Sequence, residues 1–374
     1  MIGFQVRGWC PDAWRPMAAG DGLLVRVKPR LARLTRAQLL GLCEAALIHG
    51  NGLIDLTSRG NLQIRGVSET GWRALVERLI ALGLVDADPE IEKRRNLLVA
   101  PDWQAGDDTH RIAGDLLTQL AALLPLPGKM GFVIDAGPMP LLADAPGDFR
   151  IERDPEGRLI LRADGRATGA PVAVGEEAAA LVRLAHWFVE SGGAAAGRMA
   201  RHAAPLPDWA DGGAVPAALA KPLPPGQHPL GALLGAAFGQ LDAALLADAL
   251  PVEARGVRIT PWRSLLVEGA DLHAVGLITD ATDPLLRADA CVGAPACPQA
   301  SVETRVLARR LAPLVSGRLH VSGCAKGCAR AQLADVVVTG RDGRFDLAFD
   351  ARAGAPPAHA GLTPDALLAL FGTD

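Results

Sequence analysis

The sequence predicts an α+β fold built from two related halves. Helical and strand patterns alternate along the 374 residues, which is typical of domains that combine helices with sheets. The segments that begin at Leu56 and Ile259 align at an offset of 203 positions. Their matched residues are Thr57 with Thr260, Leu62 with Leu265, Ile64 with Val267 and Gly66 with Gly269. Similarity that persists at one offset indicates a duplicated architecture.

Local patterns predict the elements of the first half. Thr35 can cap a helix that reaches Ile48, with Leu47 on its apolar face, and Gly50 can end it. Polar and apolar residues alternate over 61–65, which is typical of a strand. The predicted elements are a strand at 23–27, the helix at 35–48, two strands within 52–67, a helix at 68–82, a strand after Arg95 and a strand at 132–135. At the same offset of 203, Leu42 matches Leu245 and Leu47 matches Leu250, and later the sequence from Leu82 matches that from Val275.

The composition excludes several classes of protein. The net charge is −3, and no Lys/Arg run is long enough to suggest nucleic-acid binding. No apolar run approaches the roughly 20 residues needed to span a bilayer, and the start lacks the charged and apolar regions of a signal peptide. We therefore expect a soluble cytoplasmic protein of two or three domains, in a reducing environment that keeps thiols free.

Four of the six cysteines fall in one stretch of the sequence. Cys291 and Cys297 have the spacing C-x5-C, and Cys324 and Cys328 follow after 26 residues with the spacing C-x3-C. Two close thiol pairs brought together by the intervening fold can supply four thiolates to one metal centre. A helix is expected between the pairs, with Val306 on its apolar face, and a short strand should precede Cys324.

Three interpretations of these cysteines remain. A structural zinc site usually takes cysteines two to four residues apart, which the gap of five between Cys291 and Cys297 exceeds. Disulfides suit secreted chains, and nothing at the start of this sequence indicates export. An iron–sulfur cluster accepts wider spacings, because each thiolate binds a different iron. We therefore expect a [4Fe–4S] cluster, with zinc and inert core thiols as the alternatives.

The same stretch resembles a known superfamily. A C-x5-C pair, a helix, SGCAKGC and the apolar strand ADVVVTG are similar to the cluster-binding half of sulfite and nitrite reductases. Within that superfamily, RGWCPDAWRPMAAGDGLLVRVKP and LTSRGNLQIRG are most similar to the precorrin-3B synthase family. The resemblance covers the chain apart from residues 166–229 and implies two ferredoxin-like half-domains and two α/β domains. The expected boundaries are 1–67 and 230–270 for the half-domains, 68–165 and 271–374 for the α/β domains, and 166–229 for a helix with a Pro/Gly-rich connector.

The resemblance also implies a tetrapyrrole site. In the reductases, a strand with the pattern of residues 61–65 lines that site with its polar face. Arginine suits the carboxylates of a modified tetrapyrrole, because its planar fork donates two parallel hydrogen bonds. The expected substrate-binding residues are Arg26, Arg59, Asn61, Gln63, Arg65, Arg95 and Lys129. Reductases carry a second lysine where this chain has Gly131, and Pro-Asn where it has Ala325-Lys326; both differences favour the synthase family.

The reaction implied by that family is an oxygen-dependent hydroxylation of precorrin-3A at C20 with γ-lactone formation, in aerobic cobalamin biosynthesis. The implied cofactors are the [4Fe–4S] cluster and a non-haem iron that binds dioxygen. An external reductase drawing on NADH or NADPH would supply the electrons, because no G-x-G-x-x-G follows a strand in this chain. The alternatives are a sirohaem-dependent sulfite or nitrite reductase, and a non-enzymatic electron carrier or tetrapyrrole-binding chaperone.

The ligands of the non-haem iron are not assigned. Such sites often use two histidines and a carboxylate, but the eight histidines form no H-x-D or H-x-E pair. His49, His273 and His320 lie in the folded halves, where a histidine is more often structural than a ligand. Cys43 is expected in the core because it falls on an apolar helix face, and Cys10 has no partner at ligand spacing.

Overall fold

The first half-domain opens the part of the chain that the computed structural model describes, residues 10–270 and 276–372. Its elements are β1 (Met17–Ala19), β2 (Gly22–Val27), β3 (Arg33–Thr35), α1 (Arg36–His49), β4 (Leu53–Leu56) and β5 (Leu62–Val67). The predicted cap is confirmed. The Thr35 hydroxyl accepts from the Gln38 amide at 3.2 Å, and the Gln38 side chain accepts from the Thr35 amide at 3.0 Å. This reciprocal capping box fixes the start of α1.

An α/β layer follows the first half-domain. Its elements are α2 (Trp72–Ala81), α3 (Pro89–Arg94), β6 (Leu97–Val99), α4 (Asp108–Thr118), β7 (Phe132–Ile134), β8 (Phe149–Arg153), β9 (Leu159–Ala163), β10 (Ala170–Pro171) and α5 (Glu177–Glu190). The sheet order is β10-β9-β8-β7-β6. Strands β6, β7 and β8 are parallel, whereas β9 and β10 return antiparallel.

The second half-domain repeats the first and exchanges a strand with it. Its elements are β11 (Gly226–His228), β12 (Gly231–Ala236), β13 (Gln240–Asp242), α6 (Ala243–Ala249), β14 (Gly256–Ile259) and β15 (Ser264–Glu268). The two sheets have the orders β1-β2-β5-β4-β13 and β11-β12-β15-β14-β3. Each half-domain therefore completes the other half's sheet, and both contribute to one apolar core. The predicted duplicated α+β architecture is confirmed.

A second α/β layer carries the four clustered cysteines. It follows β16 (Leu277–Ile278), which pairs with β12 in the sheet of the second half-domain. Its elements are β17 (Ala288–Ala290), α7 (Arg305–Leu311), β18 (Leu319–Ser322), β19 (Ala334–Arg341), β20 (Arg344–Ala351), β21 (His359–Leu362) and α8 (Pro364–Phe371). Strands β17, β18 and β19 are parallel and β20 and β21 antiparallel, in the order β17-β18-β19-β20-β21. This is the topology of the first α/β layer, so the pseudo-symmetry extends to both layers.

The number of positions that separates equivalent residues of the two halves is not constant along the chain. Thr35 and Asp242 are equivalent N-caps, and they pair with the first residues of β14 and β4 respectively. The offset is therefore 207 at the helices and 203 at the following strands. Leu246, rather than Leu245, takes the place of a buried α1 leucine, and Leu245 is 47% exposed. The match between the helices at offset 203 was wrong because α6 is 7 residues long and α1 is 14. Val275, where the other match begins, lies outside the described residues.

The segment 166–229 is only partly a connector. Its helix, α5, buries Leu181, Leu184 and Phe188 against the first α/β layer, in the position that α8 takes in the second. The Phe188 ring meets Phe149 of β8 edge to face, with ring centroids 6.0 Å apart. The helix expected within 166–229 is therefore part of the first α/β layer, because its apolar stripe closes the core. The connector proper follows α5.

Two helix faces also differ from their predicted patterns. Leu47 of α1 and Val306 of α7 are 49% and 60% exposed, although both were expected on apolar faces. Helix α7 buries Leu307, Ala308 and Leu311 instead, which turns the neighbouring position 306 outward. Across residues 10–270 and 276–372, no helix combines the length and apolar composition needed to cross a bilayer.

Candidate functional site

The four cysteines meet at one edge of the second α/β sheet. Cys291 directly follows β17, and Cys324 lies two residues after the end of β18. These neighbouring strands are parallel, so both lead their cysteines to the same edge. The Gly323 amide donates to Cys291 Sγ at 3.2 Å, which joins the two cysteine segments directly. Backbone N–H groups directed at sulfur stabilise a thiolate.

Glycines shape both cysteine loops. Gly293 and Gly327 have φ of +68° and +63°, a region that residues with a Cβ rarely adopt. A Cβ on Gly323 would lie 2.6 Å from the Ala300 Cβ, so the approach of the two loops requires glycine there. The Cys297 amide donates to the Gly293 carbonyl at 2.8 Å, which closes the first loop.

The four thiols lie close enough to interact electrostatically. Burial raises the pKa of Cys328, and the charges of Cys291, Cys324 and Cys297 raise it further, while Lys326 opposes them. Cys328 also has an exposed face, whereas the other three are partly buried. Among the described residues, no three His, Cys, Asp or Glu side chains lie close enough to share a single metal ion. A [4Fe–4S] cluster does not require three side chains at one metal ion, because each thiolate binds a different iron.

The first half-domain packs directly on the cysteine loop. In the turn between β1 and β2, the Gly20 amide donates to the Ala296 carbonyl at 2.9 Å. A Cβ on Gly20 would lie 2.3 Å from the Pro295 carbonyl oxygen. The loop between Cys291 and Cys297 is therefore held by the N-terminal half of the chain.

Replacing Gly20 by valine should displace this loop. Because the obstructing atom is backbone, we expect a loss of about 1–3 kcal/mol of unfolding free energy and a lower iron content after reconstitution. Gly114→Val is the matched control, since a Cβ there meets nothing within 4 Å. Urea unfolding and iron analysis of both variants provide the measurement. Equal iron contents would show that the contact does not hold the loop.

A row of polar residues crosses the sheet of the first half-domain. Arg26 pairs with Gln63, Gln63 with Asp55, and Asp55 with Gln240 in the strand registers. With its amide oxygen towards Arg26, Gln63 accepts from Nη2 at 2.7 Å and from Nε at 3.1 Å. The row does not face only solvent, because Arg305 at the start of α7 lies 3.2 Å from Asp55. This face therefore abuts the layer that carries the cysteines.

Arg59 and Asn61 line a narrow cleft beside this sheet. Its other lining residues are Asn96, Leu97, Leu98, Gly131, Phe132 and Pro146. Burial lowers the pKa of Arg59, and the nearby cations Arg198 and Arg26 lower it further, against Cys10 and Asp148. The structure thus brings Arg26, Arg59 and Asn61 into one cationic region.

Two of the expected substrate-binding arginines have carboxylate partners within the protein. Arg65 is buried and binds Asp21 at 2.9 Å and Asp55 at 3.1 Å. Burial opposes the Arg65 charge, but the two carboxylates outweigh it and raise the pKa. Arg95 donates to the Leu84 carbonyl and to Glu92. A substrate carboxylate would have to compete with these ion pairs.

The last expected residue, Lys129, lies before β7 and is partly exposed. Within the described part of the chain it has no ion-pair partner. The missing second lysine has a structural reason. A Cβ on Gly131 would lie 2.8 Å from the Asn96 carbonyl oxygen, so the close approach of β6 and β7 leaves no room for a side chain there.

Comparison with known proteins agrees with the fold. Residues 15–82 match the family described as the nitrite/sulfite reductase ferredoxin-like half domain. A solved structure, that of the Mycobacterium tuberculosis NirA protein, superposes with a TM-score of 0.59 at 18% identity, covering 92% of this chain and 78% of that one. The chain is 33% identical to the precorrin-3B synthase of a Sinorhizobium species, over 94% of this chain and 85% of that protein. The chain belongs to the precorrin-3B synthase family.

A more distant relative is the sulfite reductase [NADPH] hemoprotein beta-component 2 of Klebsiella pneumoniae. It is 31% identical over 32% of this chain and 25% of its own length. The partial match accords with the reductase-like fold, whereas the match to precorrin-3B synthase spans nearly the whole chain. The protein is therefore an enzyme of the sulfite and nitrite reductase superfamily.

One residue of the cationic region in this family member was missed in the sequence. Arg198 lies after α5 in the expected connector, and its Nε donates to the fully buried Asp148 at 2.8 Å. Its proximity to Arg59 lowers the Arg59 pKa. No spacing pattern marks Arg198, because it lies in an Ala/Gly-rich run with no motif around it. Its role becomes visible only from its contact with Asp148 and its proximity to Arg59.

The two half-domains of this family member also carry an ion pair of opposite polarity at equivalent positions. Asp55 and Arg65 of the first half correspond, at offset 203, to Arg258 and Glu268 of the second. Arg258 Nε lies 2.5 Å from Glu268, and the Arg258 guanidinium stacks over Trp103 at 4.0 Å. In the first half, Asp55 binds Arg305 of the cysteine layer. Each pair thus joins its half-domain to one α/β layer.

His320, to which the sequence assigns no ligand role, lies beside the second cysteine loop. It is fully buried beside Asp289 on the neighbouring strand, and neither ring nitrogen has a hydrogen-bond partner within residues 10–270 and 276–372. Its Cε1 lies 3.5 Å from where a Cβ on Gly327 would be. Burial lowers the pKa of His320 to about 4, against the charge of Asp289. His49 ends α1, and His273 lies outside the described residues.

The depressed pKa of His320 predicts a loss of stability in acid. Because the folded pKa lies below the unfolded value of 6.5, the unfolded state binds the proton first as pH falls. Stability should therefore decrease between pH 6.5 and 4, by up to about 3 kcal/mol. His320→Leu should flatten this dependence. Urea unfolding of both proteins at pH 7 and pH 4.5 is the measurement, and equal pH slopes would contradict the assignment.

Proposed function

We propose that the protein is a precorrin-3B synthase, a monooxygenase that hydroxylates precorrin-3A at C20 and forms the γ-lactone of aerobic cobalamin biosynthesis. One oxygen atom enters the product and the other leaves as water, with uptake of two electrons and two protons. The observation that carries the proposal is the close approach of the cysteine loop to the N-terminal half in a chain of this family. The polar sheet face and the cationic cleft lie in that same half.

Cys291, Cys297, Cys324 and Cys328 are proposed to hold a [4Fe–4S] cluster. Their convergence at one sheet edge and the amide directed at Cys291 Sγ support this assignment. The cluster would supply single electrons. The protein's part is to fix both loops through glycines and to keep three of the four thiols partly buried, which protects them from solvent.

Arg59, Arg26 and Arg198, with Asn61 and Gln63, are proposed to bind the carboxylates of the tetrapyrrole. Burial and the neighbouring guanidiniums depress the Arg59 pKa, so an anion that binds here would stabilise the charged form of Arg59. Arg65 and Arg95 are proposed to contact the tetrapyrrole only at the edge of the site, because each already has a carboxylate partner in the protein. Lys129 is proposed to contribute charge at the mouth of the cleft.

The remaining components are also proposals. Dioxygen would be bound by a non-haem iron, to which no side chain is assigned. The electrons would come from an external reductase that draws on NADH or NADPH, and the enzyme would act in the cytoplasm.

Arg59→Ala should weaken binding of precorrin-3A without affecting the metal centre. Loss of one charge-assisted contact to a carboxylate corresponds to about 1.5–3 kcal/mol, or roughly a 10- to 100-fold rise in Kd. Arg158→Ala is the control. Arg158 lies between β8 and β9, and its guanidinium is exposed. Fluorescence titration with precorrin-3A provides Kd, and iron and sulfide analysis provides the second readout. An unchanged Kd would remove Arg59 from the site.

The function as a whole is tested by spectroscopy and a single turnover. Protein purified without oxygen should show the EPR signal of a reduced [4Fe–4S] cluster and no sirohaem absorption. Addition of precorrin-3A and dioxygen should then yield one equivalent of hydroxylated product. Strong sirohaem bands would support a sulfite or nitrite reductase instead. Zinc without sulfide would overturn both assignments, and a cluster without turnover would leave an electron carrier or chaperone.

A further inference from the structure

One arginine between the polar sheet face and the cysteine layer has donors without acceptors. Arg305 is the first residue of α7, and its Nη2 lies 3.2 Å from Asp55. Its Nε and Nη1 atoms are buried and have no hydrogen-bond partner within residues 10–270 and 276–372. Burial without a partner is unfavourable for a charged group, because its contact with water is lost and not replaced. These two donors can therefore bind an acceptor that the described part of the chain does not supply.

The backbone of Arg305 is fixed against the first cysteine loop. The hydroxyl of the preceding residue, Thr304, donates to the Cys291 carbonyl at 2.5 Å, and Thr304 is buried. A Cβ on Gly293 would lie 2.8 Å from that hydroxyl oxygen, so Thr304 packs tightly on the loop. Arg305 therefore reaches the polar sheet face from a rigid point beside the cysteines.

The carboxylates at this interface do not balance the arginines. Asp55 is shared between Arg305 and Arg65, which lie 3.2 and 3.1 Å from it. Arg65 binds a second carboxylate, Asp21, at 2.9 Å. Arg26, on the same row of the sheet, hydrogen-bonds a neutral amide. Three guanidiniums thus share two carboxylates, and an anion is the acceptor that suits the remaining donors.

The arginine that joins the second half-domain to the first α/β layer has the opposite arrangement. Arg258 Nε binds Glu268 at 2.5 Å, and Arg258 Nη1 donates to the Pro101 carbonyl at 2.9 Å and to the Trp103 carbonyl. In this fold, an arginine that only joins two parts of the structure can therefore find acceptors in the protein itself. The free donors of Arg305 distinguish it from such a structural contact.

We infer that Arg305 binds a peripheral carboxylate of the tetrapyrrole through Nε and Nη1. The inference rests on the proposed function, because it requires the substrate to lie between the polar sheet face and the cysteine layer. A guanidinium suits a carboxylate, since it stays charged when buried and donates in fixed directions. Arg26 and Arg59 would hold carboxylates from the first half-domain, and Arg305 would hold one from the cysteine layer. The substrate would then be fixed from both sides of the interface.

The test replaces Arg305 by lysine. Lysine keeps a positive charge for Asp55 but lacks the Nε and Nη1 donors. Arg305→Lys should raise the Kd of precorrin-3A roughly 10- to 100-fold, measured by fluorescence titration without oxygen, while the urea midpoint and iron content stay at wild-type values. Arg309→Lys is the matched control. Arg309 lies on the same helix, is exposed and has its guanidinium over the Phe238 ring, so the Kd of this variant should equal that of the wild type.

Single turnovers separate substrate binding from a structural role. A contact made equally in the ground state and the transition state changes KM rather than kcat. At a saturating concentration of precorrin-3A, Arg305→Lys should therefore react within about threefold of the wild-type rate. A lower saturated rate with an unchanged Kd would overturn the inference.

Failure of the inference is distinguishable from failure of the proposed function. If the wild type binds no precorrin-3A, the proposed function fails before Arg305 is tested. If the wild type and both variants bind it equally well, Arg305 is not a substrate ligand. A shift in the midpoint potential of the cluster in Arg305→Lys, with an unchanged Kd, would assign the two donors to the cluster instead. Equal increases in Kd in Arg305→Lys and Arg309→Lys would overturn the inference, because they would reflect a change in α7 as a whole.

Discussion

Cys324→Ser is expected to yield protein without its iron and sulfide. A hydroxyl replaces the thiol with little change in volume, but its proton is far too tightly held for it to act as a thiolate does. Cys324 lies directly after the Gly323 amide that donates to Cys291 Sγ, so its loss removes a ligand at the point where the two loops meet. We expect activity to fall below detection and the absorption of the cluster to disappear. Iron and sulfide analysis after anaerobic reconstitution is the measurement.

Cys43→Ala provides the control for this prediction. Burial, together with Asp242, raises the pKa of the Cys43 thiol to about 12, so Cys43 is a neutral core residue of α1. Its replacement should reduce stability by opening a small cavity while iron and sulfide stay complete. Full iron and sulfide in Cys324→Ser would remove this residue from the ligand set. Loss of iron in Cys43→Ala would show that the iron content reports folding rather than ligation by cysteine.

Elements set by neighbouring residues could be predicted from the sequence. The cap at Thr35, the alternation along β5 and the strand that leads to Cys324 depend on side chains within a few positions. The strand before Cys291 was not predicted. Its parallel pairing with the strand before Cys324 brings the two cysteine segments to one edge, and this pairing is visible only in the structure.

Features that depend on distant contacts could not be predicted in this way. The exchange of β3 and β13 between the half-domains leaves no local signal, because either strand could pair within its own half. The same limit applies to the proposed substrate residues. Alternation placed Arg65 on the polar face correctly, but its partner Asp21 is 44 positions away. Charge alone could not show that this arginine was already paired.

The ion pairs between half-domains and layers carry the second large prediction. Asp55 receives Arg65 at 3.1 Å and Arg305 at 3.2 Å, and these three side chains are largely buried. Asp55→Ala would leave both guanidiniums with less compensation in a poorly hydrated site. Breaking a buried pair in this way costs about 3–5 kcal/mol. We expect a loss of this size in urea unfolding.

Glu44→Ala is the matched control, because it breaks an ion pair of 2.8 Å to Arg78 whose side chains are about half exposed. An exposed pair contributes about 0–1 kcal/mol, so the two variants should differ clearly. Asp55→Ala should also lower iron retention, since Arg305 begins the helix that follows Cys297. Equal stabilities of the two variants would show that Asp55 does not join the layers. A stability loss with full iron retention would confine its role to folding. Loss of both stability and iron in Asp55→Ala would show that the Asp55 carboxylate connects the polar sheet face to the cysteine centre.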